Sequence, residues 1–270
     1  MTSARLRVAA RLIVVVVLLL PLALVLAGSL RPVGAPPPSG LELLPAQPGL
    51  TAYDRLTEVV PLGRLVANSA AVVVVAVPVS TLLASWAGFA LVQLRPRPRR
   101  WLVGLVTALL LVPLPMLWVP RFALFLELGL LGTLVPLAAP ALAATTPFTV
   151  LLAYRAFRRV PPEQWEAARL EGAGALTTWW RVGLPQVRAT TTAIAAVAFV
   201  FAWGNYLDAL LYGQGPASDT LPLGIGRLAT VDSAEQPVLF AGAAVLALPA
   251  VLALLAVQRP LLGDTPPVRR

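Results

Sequence analysis

Three polar side chains, Asn205, Asp208 and Tyr212, stand in an otherwise apolar stretch of the chain. Their spacing of three and four residues predicts that they share one face of a helix, together with Phe201. An ionisable residue in a membrane helix costs on the order of 2.5–3.5 kcal/mol, which makes it a candidate functional site. These groups are suited to hydrogen bonding with a polar solute such as a sugar. Two structural alternatives stay open: hydrogen bonds between helices, and a position of Asp208 at the outer membrane interface.

Other kinds of chemistry are excluded by the residue types that the chain lacks. All 21 basic residues are Arg, and there is no Lys, His or Cys. A Walker A loop needs a Lys, nucleophilic triads need a His, and the usual zinc sites need His or Cys. We therefore expect no catalytic residue, no metal site and no cofactor. The net charge of +9 lies between apolar runs rather than in one patch, which argues against nucleic acid as a partner.

The longest polar segment, residues 154–188, has the pattern of two short helices joined by a glycine turn. Pro162 suits the first turn of a helix. Gly172 is expected to need either a positive φ or a close backbone approach. A second helix is predicted over about residues 175–182, ending at Gly183, Leu184 and Pro185. The small alanines of the first helix would allow another protein to come close, and a solvated loop with interfacial helices is an equal alternative on these residues alone.

Within this segment, several residues follow a fixed spacing. Glu166, Ala167 and Ala168 are followed after three residues by Gly172, and after nine more by the run Val182-Gly-Leu-Pro. This spacing resembles the EAA loop of ABC-importer permeases, with Val182 in the place of the usual Ile. In that family the loop forms a coupling helix that docks into a groove on the ATPase subunit. The resemblance assigns this contact to Glu166, Ala167, Ala168, Gly172, Leu184 and Pro185.

The resemblance extends over nearly the whole chain and indicates the sugar-importer branch, in particular its maltose-type subunit. It is carried by "GSLRP", by "VANSAAVVVVAVPVSTLLASWAGFALVQLRPRPRR" and by "FRRVPPEQWEAARLEGAG". It implies an all-α membrane protein, six transmembrane helices with a cytoplasmic coupling helix, that does no enzymatic chemistry itself. The implied partners are a second homologous permease, two ATP-binding ATPase subunits and an extracytoplasmic solute-binding protein. Glu171 stands where the family has Asp, and Trp203-Gly-Asn-Tyr replaces its pattern after the Trp, which weakens any transfer of substrate identity.

The composition indicates a chain that lies in a lipid bilayer. Hydrophobic residues make up 58% of it and charged residues 12%, about half the usual charged share of roughly 25% in soluble proteins. Crossing the hydrocarbon core takes roughly 20 apolar residues in a helix. A single transmembrane domain over residues 1–270 is predicted, with spans at about 12–30, 65–94, 101–119, 134–153, 189–212 and 238–257. The prolines inside these spans are expected to kink the helices without breaking them.

The distribution of Arg predicts the orientation in the membrane. Sixteen of the 21 Arg residues fall at the two termini, between the second and third spans, or in the loop 154–188. The positive-inside rule places these parts in the cytoplasm, so both termini of this multi-pass cell-membrane protein are predicted to be cytoplasmic. The external segment 31–63 is rich in Pro and Gly and is expected to have little regular structure.

Four alternatives compete with these interpretations. The chain could be a secondary transporter, although such folds show inverted repeats and broken helices, which the sequence does not reveal. It could be an ABC permease for another solute such as a polyamine. The first apolar segment could be a cleaved signal peptide. An intramembrane enzyme using Asp208 as an acid is disfavoured, because one carboxylate without a His is a poor catalytic set.

Overall fold

The computed structural model describes residues 2–35, 45, 47–143, 146–229 and 235–263, and the regular elements of this part of the chain are all helices. The α-helices are α1 Thr2–Ser29, α2 Thr51–Val59, α3 Leu62–Gln93, α4 Pro96–Leu109, α5 Trp118–Glu127, α6 Val135–Ala143, α7 Pro147–Phe157, α8 Pro162–Leu170, α9 Ala175–Thr177, α10 Leu184–Gln186, α11 Arg188–Trp203, α12 Leu207–Tyr212, α13 Leu221–Leu228 and α14 Gln236–Gly263. A 3₁₀ helix, Leu114–Leu117, precedes α5, and a π-helix, Thr178–Gly183, joins α9 to α10.

Three of these helices are long and apolar enough to cross a membrane: Val8–Ser29, Leu62–Gln93 and Gln236–Gln258. They coincide with the first, second and sixth predicted spans. The number rises to five if each of two sharply bent helix pairs is counted as one span. The described residues therefore establish a multi-pass helical membrane protein, while the count of six spans is not confirmed.

The third predicted span, 101–119, is not one continuous helix. Helix α4 ends at Leu109, and the helical segment Leu114–Glu127 that follows is bent by 92° from it. Pro113 lies in this break, and Pro115 is the second residue of the helical segment that follows it. Each proline lacks a backbone N–H, and Pro113 also disfavours helical backbone at Val112, the residue before it. The expectation of a mere kink is wrong here, whereas α3 continues through Pro78 as expected.

The fourth and fifth predicted spans are also divided. In the region 134–153, α6 and α7 lie on either side of residues 144–145, which fall outside the described residues. In the region 189–212, α11 ends at Trp203 and α12 begins at Leu207. Broken helices are thus present, so their supposed absence cannot be used against a secondary transporter.

The segment 31–63, which is predicted to be external, contains more structure than expected. Its residues 51–59 form α2, in which Ala52 and Leu56 are fully buried. On the exposed side of α2, Arg55 forms ion pairs with Glu58 at 3.1 Å and with Glu235 at 3.3 Å. The prediction of an irregular loop is wrong for this part, because two apolar side chains one turn apart suffice to seat a short helix.

The chain divides into two compact units, each described by itself. The first comprises residues 1–66 and 221–249, and the second comprises residues 67–220 and 250–270. In the first unit, α1 approaches α14 so closely that a Cβ on Gly28 would lie 2.5 Å from the Phe240 ring. The second unit holds the loop 154–188 and all the predicted site residues. The single domain over residues 1–270 stays a prediction.

Candidate coupling loop and solute cavity

The candidate coupling loop starts with α8, whose first residues behave as the sequence predicts. Pro162 occupies the first helical position, where a missing N–H costs nothing. Glu163 lies in the first turn, where its charge is favourable near the positive end of the helix. Further along, Glu166 and Ala167 are exposed. This face of α8 is therefore open to another protein.

Gly172 ends α8 in a Schellman motif. Its φ is +75°, and the N–H of Ala173 donates to the carbonyl of Ala168 at 2.9 Å while the N–H of Gly172 donates to that of Arg169 at 3.0 Å. Positive φ is the reason for a glycine at this position. The alternative expectation, a close backbone approach, is wrong, since a Cβ at Gly172 would meet nothing within 4 Å.

The two alanines of the motif face different surroundings. Ala167 is exposed, whereas Ala168 is 5% exposed and packs inside the chain beside Trp165. The expectation that both alanines make room for a partner is wrong for Ala168, because the helical turn carries it to the inner face. Leu170, at the end of the same helix, is 89% exposed.

An aromatic cluster seats the loop on two helices of the second unit. The Trp165 ring lies 5.6 Å from Phe89 of α3 and 6.4 Å from Phe157 of α7. The indole N–H of Trp179 donates to the hydroxyl of Ser85, in α3, at 3.0 Å, and both side chains are buried. The loop is therefore attached to α3 and α7 through large buried rings and one buried hydrogen bond. Sequence reasoning missed this seat.

The second half of the loop is one helical segment, Ala175–Gln186, made of α9, the π-helix and α10. It is bent by 90° from α11, and we call it the transverse helix. The predicted end over residues 183–185 is wrong, because the backbone stays helical through Leu184, which is half-buried, Pro185, which is exposed, and Gln186. Gly183 has a packing role: a Cβ there would lie 2.9 Å from the Phe157 ring.

A cavity of about 520 Å³ lies within the second unit, bordered by residues of α3, α5, α7, α11 and α12. Most of its lining is apolar, including Phe201 and the ring of Trp118. The polar residues described as lining it are Ser80, Arg121, Thr146, Thr149, Asn205, Tyr206 and Asp208. Pockets of this size with a few convergent polar groups are the usual sites for small ligands.

Asn205 and Asp208 come together at the break between α11 and α12. The amide nitrogen of Asn205 donates to a carboxylate oxygen of Asp208 at 3.0 Å. The backbone N–H of Asp208 donates in turn to the amide oxygen of Asn205 at 3.2 Å, which satisfies a donor at the start of α12. The expectation of one continuous helix face is wrong, since residues 204–206 are not helical.

Tyr212 has different surroundings from Asn205 and Asp208. It is fully buried, its ring is 5.3 Å from Phe125 of α5, and its hydroxyl donates to the carbonyl of Trp118 at 3.4 Å. It is not among the residues that line the cavity. Tyr212 thus anchors α12 to α5, while Asn205 and Asp208 face the cavity.

Sequence reasoning also missed that Arg121 and Trp118 border the cavity. Both belong to the helical segment after the bend at residues 110–113, and this bend decides where they lie. The sequence contains no signal that brings them next to Asp208, more than 80 residues away.

These features define a class of protein: a multi-pass helical membrane transport component with a polar loop attached to its membrane helices. Residues 80–259 match the family described as binding-protein-dependent transport system inner membrane component. The chain belongs to this family, and it is a permease subunit of an ABC importer. Its location in a membrane and its dependence on a binding protein follow from that membership.

Individual relatives and a solved structure agree with the family. The chain is 28% identical over 192 residues to the lactose transport system permease protein LacG of Rhizobium radiobacter, covering 71% of this chain and 70% of the relative. It is 29% identical over 205 residues to the diacetylchitobiose uptake system permease protein NgcG of Streptomyces coelicolor, covering 75% and 68%. The fold is similar to the crystal structure of a bacterial ABC transporter that imports the acidic polysaccharide alginate, with a TM-score of 0.77, 21% identity and 96% coverage of both chains.

Proposed function

We propose that this chain forms half of the transmembrane pathway of an ATP-driven importer for a carbohydrate. The observation that carries the proposal is the loop 154–188, with its motif spacing, its exposed Glu166 and Ala167, and its buried aromatic seat. The relatives that are named as lactose and diacetylchitobiose permeases favour a sugar as the solute. The other half of the pathway is a second homologous permease, an extracytoplasmic solute-binding protein delivers the solute, and ATP is hydrolysed on two separate ATPase subunits.

The ATPase subunit docks on the exposed side of α8, in the orientation that places both termini in the cytoplasm. Glu166 is the polar anchor, Ala167 gives the close approach, and Gly172 sets the direction in which the chain leaves the helix. Leu184 and Pro185 act at the far end of the loop, before the 90° bend into α11. Movement of α8 passes to α3 and α7 through Trp165, because packed rings transmit displacement rather than absorb it.

The solute passes by way of the cavity, where Asn205 and Asp208 contact it. Tyr212 holds α12 in place beneath them. Among the described lining residues, Arg121 carries the one positive charge and Asp208 the one negative charge, beside the aromatic residues Trp118 and Phe201. This balance suits a neutral polyhydroxyl solute. A polyamine, the alternative solute, would need an excess of carboxylates over cations.

Reconstitution tests the proposed function. The chain, its partner permease and the ATPase subunits are incorporated into proteoliposomes with the solute-binding protein. ATP hydrolysis is then measured with lactose, sn-glycerol 3-phosphate or spermidine as the solute. Stimulation by the neutral sugar supports the proposal, and stimulation by spermidine alone contradicts the assignment of the solute. If the purified chain retains no ATPase subunit, this result contradicts the importer mechanism itself.

The cavity has its own test in Asp208→Asn. Loss of a charged hydrogen-bonding group is expected to lower solute uptake about tenfold or more, while the ATPase subunit stays bound and the solute-binding protein keeps its affinity. Asp54→Asn, on the exposed surface of α2, is the matched control. Normal uptake by Asp208→Asn would leave the Asn205–Asp208 pair with a structural role only.

A further inference from the structure

A second concave surface, separate from the solute cavity, lies beside the transverse helix. It is a groove of about 420 Å³ whose lining includes Leu82 of α3 and Leu176, Trp180 and Arg181 of the transverse helix. Leu176 and Trp180 stand one helical turn apart and are 64% and 59% exposed. Thr177 and Trp179 also line the groove, and the buried indole of Trp179 donates its N–H to Ser85 in the aromatic seat. Leu176 and Trp180 are therefore apolar side chains of the transverse helix that the described chain leaves largely uncovered.

The position of the groove along α3 indicates what surrounds it. Helix α3 exposes the apolar side chains of Val74 and Val75 before the groove, and those of Leu82 and Leu83 at the groove itself. Beyond it, Ser85, Phe89 and Leu91 are buried, in the stretch that carries the aromatic seat of the loop. Since α3 is long and apolar enough to cross a membrane, its exposed apolar surface faces lipid. The groove therefore lies where the lipid-facing surface of α3 ends.

The orientation of the transverse helix agrees with a groove at the edge of the lipid-facing surface. It is bent by 90° from α11, so it lies along the membrane plane when α11 runs across the bilayer. Aliphatic, indole and guanidinium groups then follow one another in the groove as Leu176, Trp180 and Arg181. Trp rings favour the headgroup level of a bilayer, and Arg side chains extend their charge towards the water beyond it.

We propose that the groove binds an anionic phospholipid of the cytoplasmic leaflet. An acyl chain lies against Leu82 and Leu176, the Trp180 indole sits at the glycerol level, and the Arg181 guanidinium binds the phosphate. Arg is suited to this contact because its planar fork matches phosphate oxygens in a bidentate manner. No carboxylate is among the residues described as lining the groove, so nothing there competes with the lipid for Arg181.

This proposal rests on the cytoplasmic orientation of the loop and adds a regulatory consequence to it. The lipid would touch the same helix that carries Trp179, and Trp179 is hydrogen-bonded to Ser85 of α3. A bound headgroup would hold the transverse helix at its membrane level. Coupling of ATP hydrolysis to solute uptake would then depend on the anionic lipid content of the bilayer.

Quenching of Trp180 fluorescence tests the proposal. The full-length chain, purified with its co-expressed subunits, is placed in nanodiscs with increasing fractions of brominated phosphatidylglycerol or brominated phosphatidylcholine. The signal of Trp180 is the difference between the wild type and Trp180→Phe. We expect half-quenching at an about fivefold lower fraction of the anionic lipid, in line with the attraction of one Arg to an anionic surface. Arg181→Gln should abolish this preference, and Arg64→Gln, a matched loss of charge near the other end of α3, should not.

Each other outcome overturns the proposal. Equal quenching by the two lipids would show a groove that touches acyl chains without selecting a headgroup. If neither lipid quenches Trp180, the result would show that a protein subunit covers the groove. Because quenching needs neither ATP nor solute, its failure is distinguishable from failure of the proposed transport function, which is measured by solute-stimulated ATP hydrolysis.

Discussion

At the scale of single residues, the two alanines of the coupling motif have opposite surroundings although they are adjacent in the chain. Ala167 faces outwards, and Ala168 is buried beside Trp165 in the aromatic seat. A small residue is required at both positions, but for different reasons. One leaves room for another protein, and the other leaves room for the chain's own core.

Substitution by Trp should separate these two roles. Ala168→Trp overpacks the chain's own core and is expected to destabilise the protein by about 1–3 kcal/mol. Ala167→Trp should leave thermal stability unchanged and abolish retention of the ATPase subunit. Thermal unfolding followed by Trp fluorescence and co-purification of the subunit measure the two effects. Equal loss of stability in both variants would contradict the burial of Ala168 alone.

Two glycines of the loop form a second matched pair. Gly172 has a φ of +75°, whereas Gly174 has a φ of −67°, and neither has an atom within 4 Å of a built Cβ. Gly172→Ala should therefore cost about 1–2 kcal/mol, the penalty of left-handed backbone for a residue with a Cβ. Gly174→Ala should cost almost nothing. Proteolysis of the loop and uptake rates in the two variants are the measurements, and equal behaviour would show that the turn does not constrain the loop.

At the scale of helices, the loop is joined to α3 and α7 by buried aromatic contacts rather than by the covalent chain alone. Trp165 packs on Phe89 and Phe157, and the transverse helix adds the hydrogen bond from Trp179 to Ser85. Movement of α8 towards or away from the membrane should thus displace two helices together. The bond between Trp179 and Ser85 is the polar element of this attachment.

Removing that bond should uncouple hydrolysis from transport. Ser85→Ala leaves the buried indole N–H without an acceptor, which costs about 1–3 kcal/mol. Adding Trp179→Phe removes the donor as well and should recover part of this loss. The ratio of ATP hydrolysed to solute imported is measured for both variants and for Thr107→Ala, whose hydroxyl makes a local bond to Val103 on exposed α4. A ratio that stays normal in Ser85→Ala would show that the bond plays no part in coupling.

At the scale of the whole molecule, the predicted orientation follows from Arg distribution and stays a prediction. It can be tested with single introduced cysteines, because the native chain has none. A Cys at Gly132 or Gly215 would be strained, because both glycines have positive φ. Their exposed neighbours Thr133 and Gln214 are therefore better positions for an introduced Cys.

Cysteines at Ala35, Thr133 and Gln214 should react with a membrane-impermeant maleimide on intact cells. Those at Pro98 and Gly174 should react after the membrane is opened. Thr265, on the expected cytoplasmic C-terminal tail, lies outside the described residues and adds a test of that terminus. Labelling of Gly174→Cys on intact cells would reverse the orientation and remove the docking role of the loop.

The sequence by itself was sufficient for the features that depend on local composition and spacing. Three long apolar helices, the helix start at Pro162 and the left-handed turn at Gly172 all follow from short-range rules. The motif spacing around Glu166 indicated the family, which the match over residues 80–259 confirms. These features were predictable because each depends on a few neighbouring residues.

Tertiary structure decided which residues meet and where helices break. Ala168 faces inwards because Trp165, on the same helix, packs against the rings of Phe89 and Phe157, which lie far away in the chain. Arg121 reaches the same cavity as Asp208 because the chain bends at residues 110–113 and breaks again at 204–206. Hydrophobic periodicity sets which side chains share a helix face, but it carries no information about the partner of that face. That partner is chosen by long-range packing, which is why the aromatic seat and the cavity could not be predicted from the sequence.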